Sequence, residues 1–480
     1  MTSKVVIHWF RKDLRLADNL ALCEAGAAAG ELLPVYCHDP ALEAITRWGF
    51  VRRGAQRQAF LSAALADLDA QLRERGSRLL QVRGAPAEVL PALARAIGAD
   101  AVVCEAIAAP EEADEVAALR AAGLEVRTVW QSSLLAPPAL PFAVARLPKV
   151  FTDFRRAVEA AGLQPQAPLV APVRLPPLPD VAVLPFAHFP PDSSHDTSRR
   201  SGTSGEPVAC AHAAGGRVQA QGRGPVFDCG PQGDRGAPGW IDERARSNAS
   251  FPWWRAEFAG GERAALAHLA RYFAGDAAQR YKATRNGLRG IDFSSKFSPW
   301  LAQGAVSARA VFAALRRHEA ERGANEGTYW LWFELLWRDY FRFLHLQHGR
   351  RLYRARGLAE AAPPPGHDPE AFARWCAGRT GHPFIDAGMR ELAATGWLSN
   401  RMRQIVASYL IHDLGCDWRA GAAWFEAQLV DYDVYSNQGN WLYIAGRGTD
   451  PRGGRRFDPE RQAATYDADG AYRARWAGGD

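Results

Sequence analysis

Short runs of β-branched and aromatic residues alternate with helical patterns through the first 130 residues. Five of these runs are predicted as strands: 5–10, 32–36, 79–82, 101–104 and 126–130. One intervening stretch repeats apolar residues every three or four positions, as does a helix packed on a sheet: Phe60, Leu61, Ala64, Leu65, Leu68 and Leu72. Strands that alternate with such helices predict a doubly wound parallel sheet, and therefore an α/β fold for this part of the chain.

The predicted sheet carries no glycine-rich loop of the kind that binds phosphates. No strand is followed by GxGxxG, and neither GxxxxGKS nor GxxxxGKT occurs in the chain. Both loops bring backbone N–H groups close to a phosphate. Their absence argues against the common nicotinamide and nucleotide-triphosphate sites.

The character of the chain changes twice after the sheet. Residues 136–260 are rich in Pro, Gly, Ser and Ala, and 192–248 have almost no periodicity, so we predict an interdomain connector with a disordered insertion. Helical patterns follow, and six helices are predicted: 262–274, 300–318, 326–348, 384–396, 399–413 and 418–429. Since 480 residues exceed what one core usually serves, we expect an α/β domain over 1–135 and an all-α domain over 261–480.

Composition narrows the class of protein further. No apolar run approaches the roughly 20 residues needed to span a bilayer. The first residues alternate strand formers with charges, so we expect a cytoplasmic protein without a membrane anchor. We also expect the protein to be a monomer. The seven cysteines are scattered without a CxxC pair, and no metal site is predicted from them. The net charge of +6 permits an anionic partner such as DNA.

Hydroxyl and basic side chains cluster just before Pro299. The cluster comprises Tyr281, Thr284, Arg285, Asn286, Ser294, Ser295, Lys296, Phe297 and Ser298. Hydroxyls, an ammonium group and a helix N-terminus supply the donors and the positive potential that a buried diphosphate requires. A helix start that is only well capped would contain the same serines, so both interpretations stay open.

Aromatic residues surround charged groups on the predicted helix 326–348. The residues are Trp330, Trp332, Phe333, Glu334, Trp337, Arg338, Phe341 and Arg342. Glu334 and Arg338 are four residues apart, which on an exposed helix face is an ordinary stabilising pair. Among aromatic side chains these charges need polar partners, because burial without them is costly. Aromatic planes beside hydrogen-bonding groups favour a pocket that stacks on an extruded base.

A third polar cluster is divided between the predicted helix 399–413 and a stretch poor in helix formers. It comprises Asn400, Arg401, Arg403, Asp431, Asp433, Asn437 and Trp441. Carboxylates and amides can satisfy the hydrogen-bonding edge of a flavin or an adenine. A structural ion pair between Arg403 and Asp431 explains those two residues equally well.

Several long motifs in these regions resemble the photolyase and cryptochrome flavoproteins, most closely the DASH type of cryptochrome. In chain order they are HWFRKDLRLADNLAL, YKATRNGL, SSKFSPWLAQG, FELLWRDYFRF, TGHPFIDAGMRELAATGWLSNRMRQ, LVDYDVYSNQGNWLY and YDADGAYRARW. The resemblance implies an N-terminal α/β antenna domain and a helical C-terminal domain that holds FAD in a U-shaped conformation.

The same resemblance implies roles for individual residues. Those implied to bind FAD are Tyr281, Ser294, Ser295, Lys296, Phe297, Ser298, Arg338, Arg403, Asp431, Tyr432, Asp433 and Asn437. Those implied to face damaged DNA are Arg285, Glu334, Trp337, Arg338, Asn400, Arg401 and Tyr443. The implied catalytic set is Glu334, Trp337, Trp418, Asn437 and Trp441.

The implied reaction is light-driven electron transfer from reduced flavin into a flipped cyclobutane pyrimidine dimer, mainly in single-stranded DNA. A blue-light receptor that signals through a protein or nucleic-acid partner is the alternative.

Two further features follow from the resemblance. Trp441 and Trp418 match the first two members of the family's tryptophan chain. No tryptophan lies between Tyr353 and Trp375, where the third is expected, so Trp375 and Trp424 are candidates for its place. A folate antenna, 5,10-methenyltetrahydrofolate, is also implied, with Glu111 or Glu112 as its nearest contact.

Overall fold

The first part of the chain forms a five-stranded sheet in which every pair of neighbouring strands is parallel. The computed structural model describes residues 4–180, 241 and 243–477. The strands are β1 Val5–Phe10, β2 Glu31–His38, β3 Leu80–Arg83, β4 Ala101–Glu105 and β5 Val126–Val129. Their order is β3-β2-β1-β4-β5, so β2 and β3 are added on one side of β1, and β4 and β5 are added on its other side. The predicted doubly wound parallel sheet is confirmed.

Helices cover both faces of this sheet. They are α1 Leu20–Ala28, α2 Ala55–Arg73, α3 Pro86–Ile97 and α4 Pro110–Ala121. All six apolar residues that predicted a helix packed on the sheet are buried on α2. Leu61, Ala64, Leu65, Leu68 and Leu72 pack with residues of β1 and β2, whereas Phe60 packs with buried residues of the helical part. The periodicity in the sequence therefore identified the correct face of this helix.

Two helices lie inside the segment that was predicted as a connector. They are α5 Phe151–Ala160 and α6 Glu243–Asn248. On α5, Phe151, Phe154 and Val158 form a buried apolar face at helical spacing, which explains why this stretch is ordered despite the surrounding prolines. Residues 181–240 and 242, which include most of the predicted insertion, lie outside the described residues. Residues 243–248 were predicted as part of the disordered insertion, but they form a helix.

The rest of the described chain is helical. Its helices are α7 Glu262–Ala274, α8 Tyr281–Thr284, α9 Ser298–Gln303, α10 Ala308–Arg322, α11 Glu326–His348, α12 Pro369–Cys376, α13 Pro383–Thr395, α14 Asn400–His412, α15 Trp418–Gln428, α16 Val434–Ala445, α17 Pro459–Tyr466 and α18 Ala471–Arg475. Five of the six predicted helices occur within about two residues of their predicted limits, as α7, α11, α13, α14 and α15. Among residues 4–180, 241 and 243–477, no helix is both long and apolar enough to cross a bilayer.

The helix predicted at 300–318 is wrong as a single element, because it is broken at Gly304 into α9 and α10. Gly304 adopts φ 70°, a left-handed conformation that glycine tolerates best. A Cβ added at this position would lie 1.8 Å from the carbonyl oxygen of Lys12. The chain then restarts at Ser307, whose hydroxyl caps α10 by accepting from the N–H of Ala310.

Helix α16 occupies the stretch that was considered poor in helix formers. Asp433 caps its first turn by accepting from the N–H of Ser436. Buried Trp441, Leu442 and Ile444 hold its far end. Tertiary packing and a cap therefore outweigh the low helix propensity of this sequence.

The two parts of the chain meet along an ionic contact that we call the seam. It is defined by three buried charged groups of the helical part and their partners in the sheet part. Nε and Nη2 of Arg309 donate to the two carboxylate oxygens of Asp18, at 3.0 and 2.7 Å. Glu262 accepts at 2.8 Å from the N–H groups of two consecutive residues, 16 and 17, and Asp339 does the same with residues 134 and 135.

Candidate functional site

A cavity of about 400 Å³ lies between α8, α9, α11, α14 and the segment that leads into α16. It brings together residues from all three predicted clusters: Tyr281, Arg285, Ser294, Ser295, Lys296, Phe297, Ser298, Glu334, Trp337, Arg338, Asn400, Arg403, Asp431 and Asp433. Tyr443, which only the resemblance implied, also lines it. A smaller cavity of about 80 Å³ adjoins it and reaches three more predicted residues: Tyr432, Asn437 and Trp441. We call the larger space the main cavity.

One end of the main cavity is built from the hydroxyl-rich segment before Pro299. Ser294 and Lys296 both have positive φ, 64° and 57°, so the backbone is strained here. Strain of this kind is concentrated at functional sites. Of the three sources of donors that the sequence predicted here, the helix N-terminus belongs to a helix of only six residues, α9, whereas the serine hydroxyls and the Lys296 ammonium line the cavity directly.

Lys296 is buried in this end of the main cavity. Its ammonium lies 3.9 Å from the ring centre of Trp397. Burial lowers the pKa of Lys296 to about 7, and the negative charge of Glu391 only partly opposes this. A bound anion would therefore stabilise the charged form of this lysine. The donor set fits a diphosphate.

Asp431 also lines the main cavity, where it pairs with Arg403. The Nη2 to Oδ2 distance is 2.8 Å, and Arg403 also donates to the carbonyl of Leu398. The other carboxylate oxygen of Asp431, Oδ1, is buried and accepts from no group within the described part of the chain. The ion pair that the sequence left open thus exists, and it leaves one buried acceptor for a ligand N–H.

Asp433 is a fixed carboxylate between the main cavity and the sheet part of the chain. Arg342 donates to its Oδ2 at 2.6 Å. Although burial favours the neutral acid, Arg342 and then Arg338 hold the pKa of Asp433 well below its usual range. Asp433 therefore remains charged, and it faces the cavity as an acceptor.

Glu334 and Arg338 do not form the pair that their spacing suggested. Arg285 reaches across from the end of α8 to bind Glu334, and its guanidinium lies 4.6 Å from the ring of Trp330. Arg338 turns away and donates to the carbonyls of Ser132 and Leu301. Burial raises the pKa of Glu334, and the charge of Arg285 opposes that shift.

Aromatic side chains form a rigid wall beside this ion pair. Trp337 stacks on Phe151, with 3.7 Å between ring centres and 12° between planes. Tyr443 meets Trp337 edge-on at 6.0 Å. Since one face of Trp337 is already covered by Phe151, its orientation is fixed before any ligand arrives.

The remaining predicted residues lie at different depths. Asn437 donates to the carbonyl of Ala422 at 3.0 Å. Trp441 is buried, and the ring of Phe425 lies 5.1 Å from it and 6.3 Å from buried Trp375. Trp418 and Arg401 are not among the residues that line the main or the adjoining cavity. Trp418 is buried and donates to the carbonyl of Ala355, and Arg401 donates to Asn286.

Three polar residues of the cavity walls were missed by sequence reasoning: Gln404, Ser436 and Asn440. Ser436 and Asn440 follow Asp433 by three and seven residues on α16. This spacing places Asp433, Ser436 and Asn440 on one face of α16, so recognition of α16 as a helix would have found Ser436 and Asn440. Gln404 lies on α14.

The residues implied to contact an antenna lie at the carboxyl ends of the strands. Glu111, in the first turn of α4, pairs with Arg52. The backbone carbonyl of Glu112 accepts from Arg11. Arg52 also binds Glu426 of α15, so this edge of the sheet faces the helical part of the chain.

Two family models match the chain. Residues 6–173 match the family described as DNA photolyase, and residues 330–478 match the family described as FAD binding domain of DNA photolyase. A cryptochrome DASH of Gloeobacter violaceus is 42% identical, covering 99% of this chain and 86% of that protein. Another, from Xenopus laevis, is 41% identical, with 99% and 82% covered.

Solved structures agree with these matches. A cryptochrome of Synechocystis sp. PCC6803 has a TM-score of 0.81 and 38% identity, with 98% of this chain and 88% of that chain covered. A class III photolyase of Agrobacterium tumefaciens has a TM-score of 0.75 and 29% identity, with 99% and 87% covered. Sheet, helical part and main cavity thus define a two-part protein with a photolyase-type FAD-binding domain. The chain belongs to the DNA photolyase and cryptochrome family, within which it resembles the DASH type over nearly its full length.

Proposed function

We propose that this chain repairs cyclobutane pyrimidine dimers in DNA, preferably single-stranded DNA, using FAD and blue light. The observation that carries the proposal is the main cavity itself. A diphosphate-compatible end, a row of fixed carboxylates and a rigid aromatic wall share one space of about 400 Å³. Ligand sites of this size are built from apolar walls with a few fixed polar groups.

In this proposal the polar walls of the main cavity hold FAD. Lys296 and the serines before Pro299 take the diphosphate. The unpartnered Oδ1 of Asp431 accepts a hydrogen bond from an N–H of a heterocyclic ring, and Asp433, kept charged by Arg342, accepts a second. The proposed FAD-binding residues also include Tyr281, Phe297, Arg338, Arg403, Tyr432 and Asn437. Reduced FAD, when bound, supplies the electron that splits the dimer and takes it back.

The aromatic wall and the ion pair beside it hold the lesion. Trp337 and Tyr443 offer ring faces and edges for an extruded pair of bases, and such stacking is worth about 1–3 kcal/mol per base. Glu334, held by Arg285, is positioned to hydrogen bond a base edge. Asn400, Arg285 and Arg401 approach the phosphate backbone. An unpaired strand reaches this wall without the cost of opening a duplex.

Trp441 supplies electrons to the cavity from the protein interior, and Trp418 continues that route. Asn437 lies in the adjoining cavity with Trp441, where its amide sets the polarity close to the ring system. For the antenna we propose 5,10-methenyltetrahydrofolate at the strand ends near Glu111 and Glu112. The protein acts as a monomer in the cytoplasm.

The decisive experiment is repair of a single-stranded oligonucleotide that carries one thymine dimer. With chemically reduced FAD and blue light, we expect the dimer to disappear, as followed by chromatography. The dark reaction is the control for light, and Glu334→Gln is expected to retain FAD while repairing more slowly. If fully reduced wild-type protein leaves the dimer intact under light, repair is excluded and the receptor function takes its place.

A further inference from the structure

A second pocket lies directly behind the aromatic wall of the main cavity. We call it the side pocket. It measures about 60 Å³ and lies between the start of α5, the middle of α11, the end of α16 and residues 448–452. Trp337, Phe341 and Tyr443 line both this pocket and the main cavity. The two spaces are therefore separated by the thickness of a few aromatic side chains.

The side pocket is apolar inside and charged at its rim. Leu344, Leu352 and Leu442 are buried in its walls beside the aromatic rings. At the rim, Lys149 is exposed. Arg452, which pairs with Asp450 at 2.8 Å, also lies there with most of its side chain in solvent. An apolar slot with cations at its edge matches a planar base joined to a phosphodiester backbone.

Contacts within the protein hold the side pocket open. The Tyr340 hydroxyl donates to the carbonyl of Lys149 at 2.7 Å and lies 3.1 Å from the hydroxyl of Thr449. One rim segment on each side is thereby tied to α11. Phe151, stacked on Trp337, fixes the wall between the two spaces. A pocket that exists before its ligand binds loses less entropy on binding.

The volume of the side pocket limits its occupant. Roughly 10–15 Å³ of such space holds one water, so about 60 Å³ holds roughly four to six. That is comparable to one planar heterocycle. It is too little for a pair of linked pyrimidines, which need the larger space on the other side of the wall.

We propose that the side pocket binds one unpaired nucleobase next to the lesion, so that the wall formed by Trp337 and Tyr443 stands between two parts of one strand. This inference rests on the proposed function, since it takes the main cavity as the place of the dimer. A strand that bends over the wall presents its phosphates to Lys149 and Arg452. A duplex would have to give up a further base pair to fill the pocket, which adds a second reason for the preference for single strands.

The test uses 2-aminopurine, a fluorescent base that is quenched on stacking, placed on either side of a dimer in a single-stranded oligonucleotide. Binding to the FAD-loaded wild-type protein is measured in the dark. We expect quenching at one of the two neighbouring positions. A dinucleotide that consists of the dimer alone provides the reference ligand, because it has no neighbouring base.

Leu344→Trp fills the side pocket, and Leu346→Trp is its matched control, because Leu346 lies on the same helix but is exposed. We expect Leu344→Trp to lose the quenching and to bind the longer strand roughly tenfold more weakly, the size of one lost base stack. Its affinity for the dinucleotide should not change. Lys149→Glu, a surface change that leaves the core intact, should weaken binding of the longer strand in the same selective way.

Two outcomes would overturn the inference. One is quenching that persists in Leu344→Trp, and the other is a wild-type protein that quenches neither neighbouring position. Failure of the proposed function gives a different result, since the wild-type protein would then neither bind nor split the dimer dinucleotide. Retained FAD absorbance and an unchanged circular dichroism spectrum show that each variant is folded.

Discussion

The seam and the main cavity both contain buried charges, but they satisfy them differently. Along the seam, Arg309 and Asp18 form a bidentate ion pair with two hydrogen bonds. Glu262 and Asp339 each accept from two backbone N–H groups. In the main cavity, Lys296 has mainly the face of a tryptophan, and Asp431 keeps one oxygen without a donor in the described residues.

This difference separates charges that join the two parts of the chain from charges that await a ligand. A buried ion whose hydrogen bonds are complete contributes to one fixed arrangement, and removal of its partner is strongly destabilising. A buried charged group that lacks a hydrogen-bond partner is stabilised when a bound ligand supplies that partner. Burial alone does not mark a site. Incomplete pairing inside a cavity does.

The largest effect is expected where the seam is broken. Arg309→Met leaves the Asp18 carboxylate buried without its ionic partner, and we expect a loss of about 3–5 kcal/mol of folding free energy. Thermal unfolding followed by circular dichroism measures this. The control is Arg263→Met, which breaks an exposed pair with Glu74 and should change stability by less than about 1 kcal/mol. Equal losses in the two variants would contradict the distinction between seam and surface.

A smaller effect is expected at Lys296 in the main cavity. Lys296→Met should weaken FAD binding roughly tenfold to a hundredfold, because a charged hydrogen bond to the diphosphate is lost. At pH 8 the apoprotein holds this lysine mainly neutral, since its pKa is lowered to about 7. FAD raises that pKa, so wild-type protein should take up close to one proton on binding. Calorimetry in two buffers of different ionisation enthalpy measures the uptake.

The same residue gives a pH dependence with a definite sign. The folded-state pKa of Lys296 lies below the ordinary value of 10.5, so the unfolded chain binds a proton more tightly. Stability of the apoprotein should therefore rise as pH rises from about 7 towards 10.5, and Lys296→Met should flatten this slope. Lys282→Met, at an exposed site near the same cavity, is the control. A steeper slope in Lys296→Met would refute the assignment.

The smallest effect is expected at Arg401, which we propose to contact the DNA backbone. Arg401→Gln should weaken binding of single-stranded DNA and reduce the slope of log affinity against log salt by roughly 0.7, the value for one lost phosphate contact. Arg316→Gln, exposed on α10, should leave the slope unchanged. Titrations by fluorescence anisotropy at several salt concentrations provide the slopes. An unchanged slope in Arg401→Gln would remove Arg401 from the DNA-binding set.

Periodicity and local motifs predicted the parts of the molecule that depend on near neighbours in sequence. The apolar face of α2, the five strands and most long helices follow from patterns within about 20 residues. The hydroxyl-rich end of the main cavity likewise lies within five consecutive residues, 294–298.

Most contacts between distant residues were missed by sequence reasoning, although the pair of Arg403 and Asp431 was among its alternatives. Spacing alone suggested a pair between Glu334 and Arg338, four residues on, whereas the partner of Glu334 is Arg285, 49 residues away. Asp433 takes Arg342 from 91 residues away. Local spacing cannot rank such partners, because every charged residue in the chain competes for each carboxylate. The break at Gly304 has the same origin, since it depends on the backbone of Lys12.

That contact at Gly304 also limits how the two parts of the chain can be exchanged. With 1.8 Å between a hypothetical Cβ and the carbonyl of Lys12, no side chain fits at this point. The loop after β1, which contains Lys12, and the turn at Gly304 must therefore change together. A chimaera that combined this sheet with the helical part of a relative would inherit a matched surface only if both partners of the contact came from the same parent.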